Sequence, residues 1–469
     1  MIQDPLPRDM PPEEFRRAGH EVIDWIADYL SDPRRFGVLP GAEPGQLTDL
    51  LPPTAPEHGE PVERILEDFR KLILPHSTLW NHPLFFAYFS VSSSGPGILA
   101  ETLSAALNMN GMLWKSSPAV TELEQVTLGW LREWLRLPES FFGIIHDTAS
   151  LSTFHAILAA RAFADPDMRE RGSSPGFVLY TSGHSHSSVE KGALALGIGQ
   201  RYVRKIPSDE AFRMRPEALA EAIAADRAAG LRPFCAVATV GTTSTTSVDP
   251  VPAIADICEK EDIWLHVDAA YGGHAAILPE YEHYLEGASR AHSLVINPHK
   301  WLFTPIDLSA FYIRYPEALR QALSLVPEYL RTPDDPRMVN YMDYGVALGR
   351  RFRALKLWFV MRYFGRDGIA ALIRNHIRMA RELARLIEAD SRFELCAPAP
   401  MSLVCFRLRG PDEATRVLLE KLNQTGEVFF SHTALHGRFV MRWSIGNIHT
   451  TWEDIVRTWS LVQALAASA

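Results

Sequence analysis

The sequence predicts an α/β protein: a large domain with a mostly parallel central sheet, a small α+β domain towards the C-terminus and a helical N-terminal segment. Three observations carry this reading. In the middle of the chain, short β-rich runs alternate with helix-like segments, the pattern of a parallel sheet covered on both faces. Polar clusters follow directly on several of those runs, where such sheets bind ligands beyond the C-terminal ends of their strands. From about residue 350 the pattern turns helical and basic, then returns to short strands before a last helix.

The elements follow in order. Residues 12–31 read as an amphipathic helix, because Phe15, Val22, Ile23, Ile26, Tyr29 and Leu30 recur at helical spacing. A loop follows with Pro40, Gly41, Pro44, Gly45, Pro52, Pro53 and Pro56, either draped over a surface or a plain linker, and 65–74 reads as a short helix. Strands are expected at 176–181, 234–240, 263–267, 294–296 and 309–313, with helices at 217–229 and 251–260 between them. Strands at 402–407 and 439–444 and a helix from Trp452 close the chain.

Composition narrows the function. A chain of 469 residues calls for two or three domains, or one large domain with appendages. Its formal charge of -9 argues against nucleic acid or an anionic membrane as main partner. Cys235, Cys258, Cys396 and Cys405 form no CxxC pair, so no zinc or redox motif is visible and no metal is expected. Sparse cysteines suit a reducing compartment. With no apolar signal core in MIQDPLPRDMPPEEFRR and no apolar run near the roughly 20 residues of a membrane span, a cytoplasmic protein is expected.

The polar clusters hold a set of chemically distinct groups. Lys300, in NPHKW, follows the strand-like run SLVI between His299 and Trp301, where partial desolvation would favour its neutral amine. A solvated surface charge is the ordinary fate of a lysine, but a strand end is an unusual place for one. Asp268, in IWLHVDAAYGG, ends an apolar run and needs a cationic partner; a ligand, an internal salt bridge or a helix cap for AAYGG would each serve. His186, in SGHSHSSVEKGA, offers a flat imidazole that can stack on a ring, with His184 as competitor. Thr243 lies in a run where Thr242 to Ser247 all carry hydroxyls, which donate to a phosphate or form a polar turn. Thr148, Ala149 and Ser150 precede Leu151, Phe154, Ile157 and Leu158, and so sit at a helix N-terminus, which favours an anion or simple N-capping. Together these groups match the needs of a phosphorylated pyridine aldehyde, pyridoxal 5'-phosphate (PLP): a lysine for the aldehyde, a carboxylate for the ring nitrogen, a stacking ring and phosphate donors.

The segments INPHKWLF, HVDAAYGG, HSSVEKGA, SSPAVTELE and GRRFRALKLWFVMRYFG, in this order-consistent arrangement over residues 116–365, resemble the group II PLP-dependent decarboxylases, most closely the aromatic-L-amino-acid decarboxylase family. WNHPLFFAYFS and FVMRWSIGN extend the similarity to both ends. The resemblance implies a fold type I PLP-dependent transferase-like architecture, with an N-terminal helical segment for dimerisation at 1–93, a large PLP-binding domain at 94–355 and a small C-terminal domain at 356–469. It implies a homodimer with active sites at the interface. Lys300 resembles the family's cofactor lysine, Asp268 the partner of the pyridine nitrogen and His186 the stacking histidine; Thr148, Ala149, Ser150, Thr243 and Asn297 resemble its cofactor contacts. In LVPEYLR, Tyr329 resembles the tyrosine that returns a proton to Cα after CO2 leaves.

The implied reaction is decarboxylation of tryptophan, tyrosine, phenylalanine or DOPA to the amine, with an aldehyde synthase on the same scaffold as the alternative and a non-catalytic binding protein behind it. Family members that make aldehydes tend to lack the tyrosine or the stacking histidine, and this chain has both. Gly349 stands where histidine-decarboxylating relatives tend to carry serine, leaving room for a larger ring. Trp80, Tyr88 and Phe89 match the aromatic pocket wall. There are departures: Ser90-Val91 replaces a common proline-threonine pair, Asn110 and Met112 replace apolar or aromatic residues, and Asp147-Thr148 replaces a glycine-serine start to the phosphate turn. A carboxylate at Asp147 must point away from a phosphate or pair with a cation.

Overall fold

The computed structural model describes residues 9–172, 174–325 and 337–467. Its large sheet has seven strands: β1 (Phe142–His146), β2 (Phe177–Ser182), β3 (Val203–Ile206), β4 (Arg232–Thr239), β5 (Trp264–Asp268), β6 (Ser293–Ile296) and β7 (Ser309–Ile313). Their order is β1-β7-β6-β5-β4-β2-β3. Only β7 runs against the rest, pairing antiparallel with both β1 and β6. The other described pairings, β2 with β3 and β4, β4 with β5 and β5 with β6, are parallel. The α/β class and mostly parallel sheet read from the sequence are therefore the observed ones.

A second sheet of four antiparallel strands lies in the C-terminal part: β8 (Phe393–Leu395), β9 (Leu403–Leu408), β10 (Ser431–Leu435) and β11 (Arg438–Ser444), ordered β10-β11-β9-β8. β1, β3, β8 and β10 escape the sequence pattern for physical reasons. β3 is the polar edge VRKI, β8 has three residues, and β10 buries only Ser431 and Leu435, with His432 and Ala434 exposed between them. In β1 the apolar run is broken by Gly143, whose lack of a side chain is required: a Cβ there would lie 2.8 Å from Leu128 Cδ1 on the helix Pro118–Trp134.

The large sheet carries a core on each face and the small sheet a third, and the helix Arg353–Ala389 joins one face of the large sheet to the small one. Leu357, Val360, Ile369 and Ile373 of this helix pack into the core of the large sheet, while Met379, Leu383 and Ile387 pack with Val404, Phe406 and Trp443 of the small one. The division expected at 355/356 falls inside this helix. Leu84, Phe85 and Phe86, far back in the sequence, also belong to the small core. The N-terminal helix Pro12–Ser31 buries only Ala18; Phe15, Val22 and Ile23 of its apolar face remain exposed. No helix among the described residues is long and apolar enough to cross a membrane.

Candidate active site

A cavity of about 330 Å³ opens at the C-terminal edge of the large sheet. Twelve residues named from the sequence line it: Trp80, Tyr88, Phe89, Val91, Thr148, Ala149, Ser150, His186, Thr243, Asp268, Asn297 and Lys300. β5 ends at Asp268, which is 5% exposed and accepts the Ala270 N–H at 3.1 Å through Oδ1. β6 ends one residue before Asn297, and the short helix Pro298–Trp301 then delivers Lys300, its N–H bonded to Asn297 O at 2.8 Å. His186 lies in the turn after β2, held by the Ser188 N–H donating to its Nδ1 at 3.1 Å. His184 does not line the cavity; its ring packs edge-on against Phe212.

The three groups act on one another. Desolvation lowers the pKa of Lys300 from its ordinary value, and the Asp268 charge opposes that fall. His186 is likewise lowered by desolvation, with Asp268 pulling it up and Lys300 pushing it down. Desolvation thus shifts both Lys300 and His186 towards their neutral forms, and the Asp268 charge opposes the shift in each.

Phosphate-binding features lie alongside. The helix Ala149–Ala164 has no side-chain cap, so the N–H groups of its first turn are left for a ligand. Asp147 turns out of the cavity into a neighbouring cleft, where its Oδ1 accepts from Thr148 Oγ1 at 3.1 Å. Thr243 is the member of the hydroxyl run that lines the cavity; Thr242, Thr245 and Ser247 bond among themselves. The turn holding it depends on Gly241, at φ +89°, where a Cβ would lie 2.8 Å from Gly272 N.

The sequence reading missed Thr239, Gly241, Ala270, Tyr271, His299, Ile306 and Arg442, which also line the cavity. Ala270, Tyr271 and His299 sit inside the recognised segments, so their signal was present. Tyr271 is sandwiched between Phe89 (3.9 Å between ring centres, 18° between planes) and Trp301 (4.6 Å, 5°) and fixes the aromatic wall. Arg442 reaches in from β11, donating to Thr243 O at 2.7 Å and Ser244 O at 3.1 Å. Nothing local in the sequence announces that contact between the two sheets.

Three expected pocket residues are placed elsewhere. Asn110, Met112 and Gly349 do not line this cavity. They form a separate cluster: Asn110 Oδ1 accepts the Arg350 N–H at 2.9 Å, and its Nδ2 lies 3.8 Å from Met112 Sδ. A buried ion pair anchors the cluster, Arg350 Nη2 to Glu124 Oε1 at 2.7 Å, and the same carboxylate oxygen accepts the Ile145 N–H. Arg350→Met strands Glu124 in the interior and is expected to lower unfolding stability by about 3–5 kcal/mol, read by chemical denaturation. Tyr329 lies outside the described residues.

The residues of the cavity fit PLP. Asn297 Oδ1 is buried without a partner, the helix N-terminus is uncapped, and an amine of lowered pKa faces a carboxylate. Comparison with known proteins agrees. The model of the pyridoxal-dependent decarboxylase conserved domain matches residues 44–409. The chain is 42% identical to the aromatic-L-amino-acid decarboxylase of Bos taurus, over 97% of this chain and 96% of that protein. It is 40% identical to the phenylacetaldehyde synthase of Arabidopsis thaliana, over 98% and 97%. The solved structure of Oryza sativa TDC with PLP and tryptamine superposes with a TM-score of 0.94 at 35% identity, covering 98% of this chain and 99% of that one. On the strength of that cavity and these matches, the chain belongs to the pyridoxal-dependent decarboxylase family, PLP-dependent carboxy-lyases.

Proposed function

We propose that this protein decarboxylates an aromatic L-amino acid, tryptophan, tyrosine, phenylalanine or DOPA, to its amine and CO2. The observation that carries the reading is the convergence of Lys300, Asp268 and His186 on one cavity with an aromatic wall. PLP, when bound, supplies an electron sink for the pair left behind as CO2 departs. Lys300, its pKa lowered by desolvation, is the amine that holds the cofactor aldehyde. Asp268 keeps a proton on the pyridine nitrogen through its buried negative charge. His186 covers one face of the ring. The N-terminus of the helix Ala149–Ala164, with Thr148, Ala149, Ser150, Thr243 and Asn297, holds the remaining polar groups of the cofactor. Trp80, Tyr88, Phe89 and Val91 receive the substrate ring and exclude water from it. Tyr329 is the proton donor to Cα, a role that rests on the family resemblance.

We take the working assembly to be a cytoplasmic homodimer. Two features support it: exposed apolar side chains on the N-terminal helix and at Leu107 and Tyr363, and the exposed cluster of Asn110 and Gly349 standing apart from the cavity. In that assembly the cluster with Met112 completes the partner's pocket, where the absent side chain of Gly349 admits rings larger than imidazole. The working division is an N-terminal segment at 1–93, a PLP-binding domain at 94–355 and a small domain at 356–469.

A second reading, an aldehyde synthase that adds oxidative deamination, is favoured by one finding, the similarity to phenylacetaldehyde synthase. The test is a product assay. Cofactor-loaded protein is given an equal mixture of Trp, Tyr, Phe, DOPA, His and Glu while CO2, amines, aldehydes, ammonia and peroxide are followed together. Aromatic amine without peroxide is expected; aldehyde with ammonia and peroxide overturns the amine reading. Tyr329→Phe should shift the product from amine towards aldehyde, and an unaltered amine yield removes Tyr329 from the mechanism.

A further inference from the structure

We infer that Asp147 competes with the cofactor phosphate for the donors of Thr148, so that this chain holds its cofactor more loosely, and exchanges it more readily, than the same chain without that carboxylate. This deepens the reading that places the phosphate at the N-terminus of the helix Ala149–Ala164, and rests on it. Thr148 precedes the helix with an extended backbone (φ -133°, ψ 159°), and its side chain caps no N–H of the helix. Its hydroxyl hydrogen goes to Asp147 instead. Thr148 Oγ1 donates to Asp147 Oδ1 at 3.1 Å, and the same carboxylate oxygen accepts the Thr148 N–H.

Thr148 lines the cavity, whereas Asp147 lines the neighbouring cleft. A hydroxyl has one hydrogen and a backbone amide has one. A phosphate in the cavity must therefore break the bonds to Asp147 or bind without these two donors, leaving it the N–H groups of the first helical turn. The Asp147 charge acts in the same direction. The two arginines lining its cleft already have carboxylates of their own: Arg350 pairs with Glu124 at 2.7 Å and Arg353 with Asp307 at 3.0 Å. His155 lines the cleft as well. Desolvation pulls its pKa down to about 4, although the Asp147 charge raises it, so the ring is neutral at neutral pH. A carboxylate one residue before Thr148 thus opposes an anionic phosphate bound just after it.

The experiment measures cofactor binding rather than turnover. Full-length protein is stripped of cofactor and reloaded with PLP or with pyridoxal, which lacks the phosphate, and both dissociation constants are read from the near-visible absorbance of the lysine-linked cofactor. The ratio of the pyridoxal constant to the PLP constant isolates what the phosphate contributes; a disturbance of the fold moves both constants together. Asp147→Asn keeps an acceptor oxygen for Thr148 and loses the charge, and should raise the ratio about 10-fold. Asp147→Gly also frees the Thr148 donors and should raise it further. Thr148→Val should change the ratio little by itself, but should lower it by about 5-fold in the Asp147→Gly background, where the hydroxyl is free to reach the phosphate. Ala149→Pro tests the placement of the phosphate. It stands at the first helical position after an extended residue, where proline fits, and removes one N–H donor, so the ratio should fall. A ratio that Ala149→Pro leaves unchanged overturns that placement. A ratio that Ala149→Pro lowers but neither Asp147 variant raises overturns the inference alone, as it would if the partner subunit brought a cation to Asp147. Equal losses from Thr148→Val in both backgrounds overturn the competition for donors.

Discussion

Lys300→Ala abolishes the near-visible absorbance of the lysine-linked cofactor and lowers kcat by at least about 10³-fold, since both the covalent anchor and an acid–base group are lost. The effect is chemical rather than structural. The Lys300 backbone N–H still caps Asn297 O, and the short helix Pro298–Trp301 keeps its place through Trp301, which stacks on Tyr271 and donates from Nε1 to His376 Nδ1 at 3.0 Å. The variant should therefore fold, with an unchanged near-ultraviolet circular dichroism spectrum of the apoprotein. A cofactor spectrum identical to that of the unaltered protein would remove Lys300 from its proposed role, whatever the activity.

Asp268→Asn is the second large effect, a loss of about 10²–10³-fold in kcat, comparable to removing one preorganised electrostatic group. Asparagine keeps an oxygen to accept the Ala270 N–H, so the end of β5 holds its shape; only the negative charge goes. That charge raises both Lys300 and His186, each already lowered by desolvation. Its removal moves both pKa values further down. In the apoprotein, NMR titration of His186 should show a lower midpoint than in the unaltered protein, and the pH at which Lys300 becomes reactive should fall in the same direction. A His186 midpoint that stays or rises would mean that the two groups do not face each other as described.

The legible part of this protein was local. Strand ends announce themselves when an apolar run meets a polar cluster, and β2, β4, β5 and β6 all do so. Asp268 stands at such an end and Lys300, His186 and Thr243 just past one, which is why residues distant in sequence could be assigned to one cavity. The illegible part was nonlocal or amphiphilic. β3 and β10 are edge strands, VRKI and SHTAL, too short of apolar residues to carry a burial signal. Arg442 looks from the sequence like any strand arginine; it is buried because β11 brings it against the turn at Thr243 and Ser244. Asn110, Met112 and Gly349 were grouped with the cavity by resemblance, whereas in the single chain they gather around Arg350.

The sequence by itself determined the fold class, the edge of the sheet at which the site forms, and the chemical groups available there, because hydrophobic periodicity and strand-end polarity are properties of short segments. Tertiary structure alone decided the rest: which of His184 and His186 faces the cavity, which way the Asp147 carboxylate turns, that the hydroxyls of Ser90 and Ser92 point away while Val91 points in, and that Tyr271 and Arg442 bind the aromatic wall and the Thr243 turn into one unit. Those outcomes depend on packing and on the partners that distant segments provide for each polar atom, and such partners exist only once both sheets are assembled.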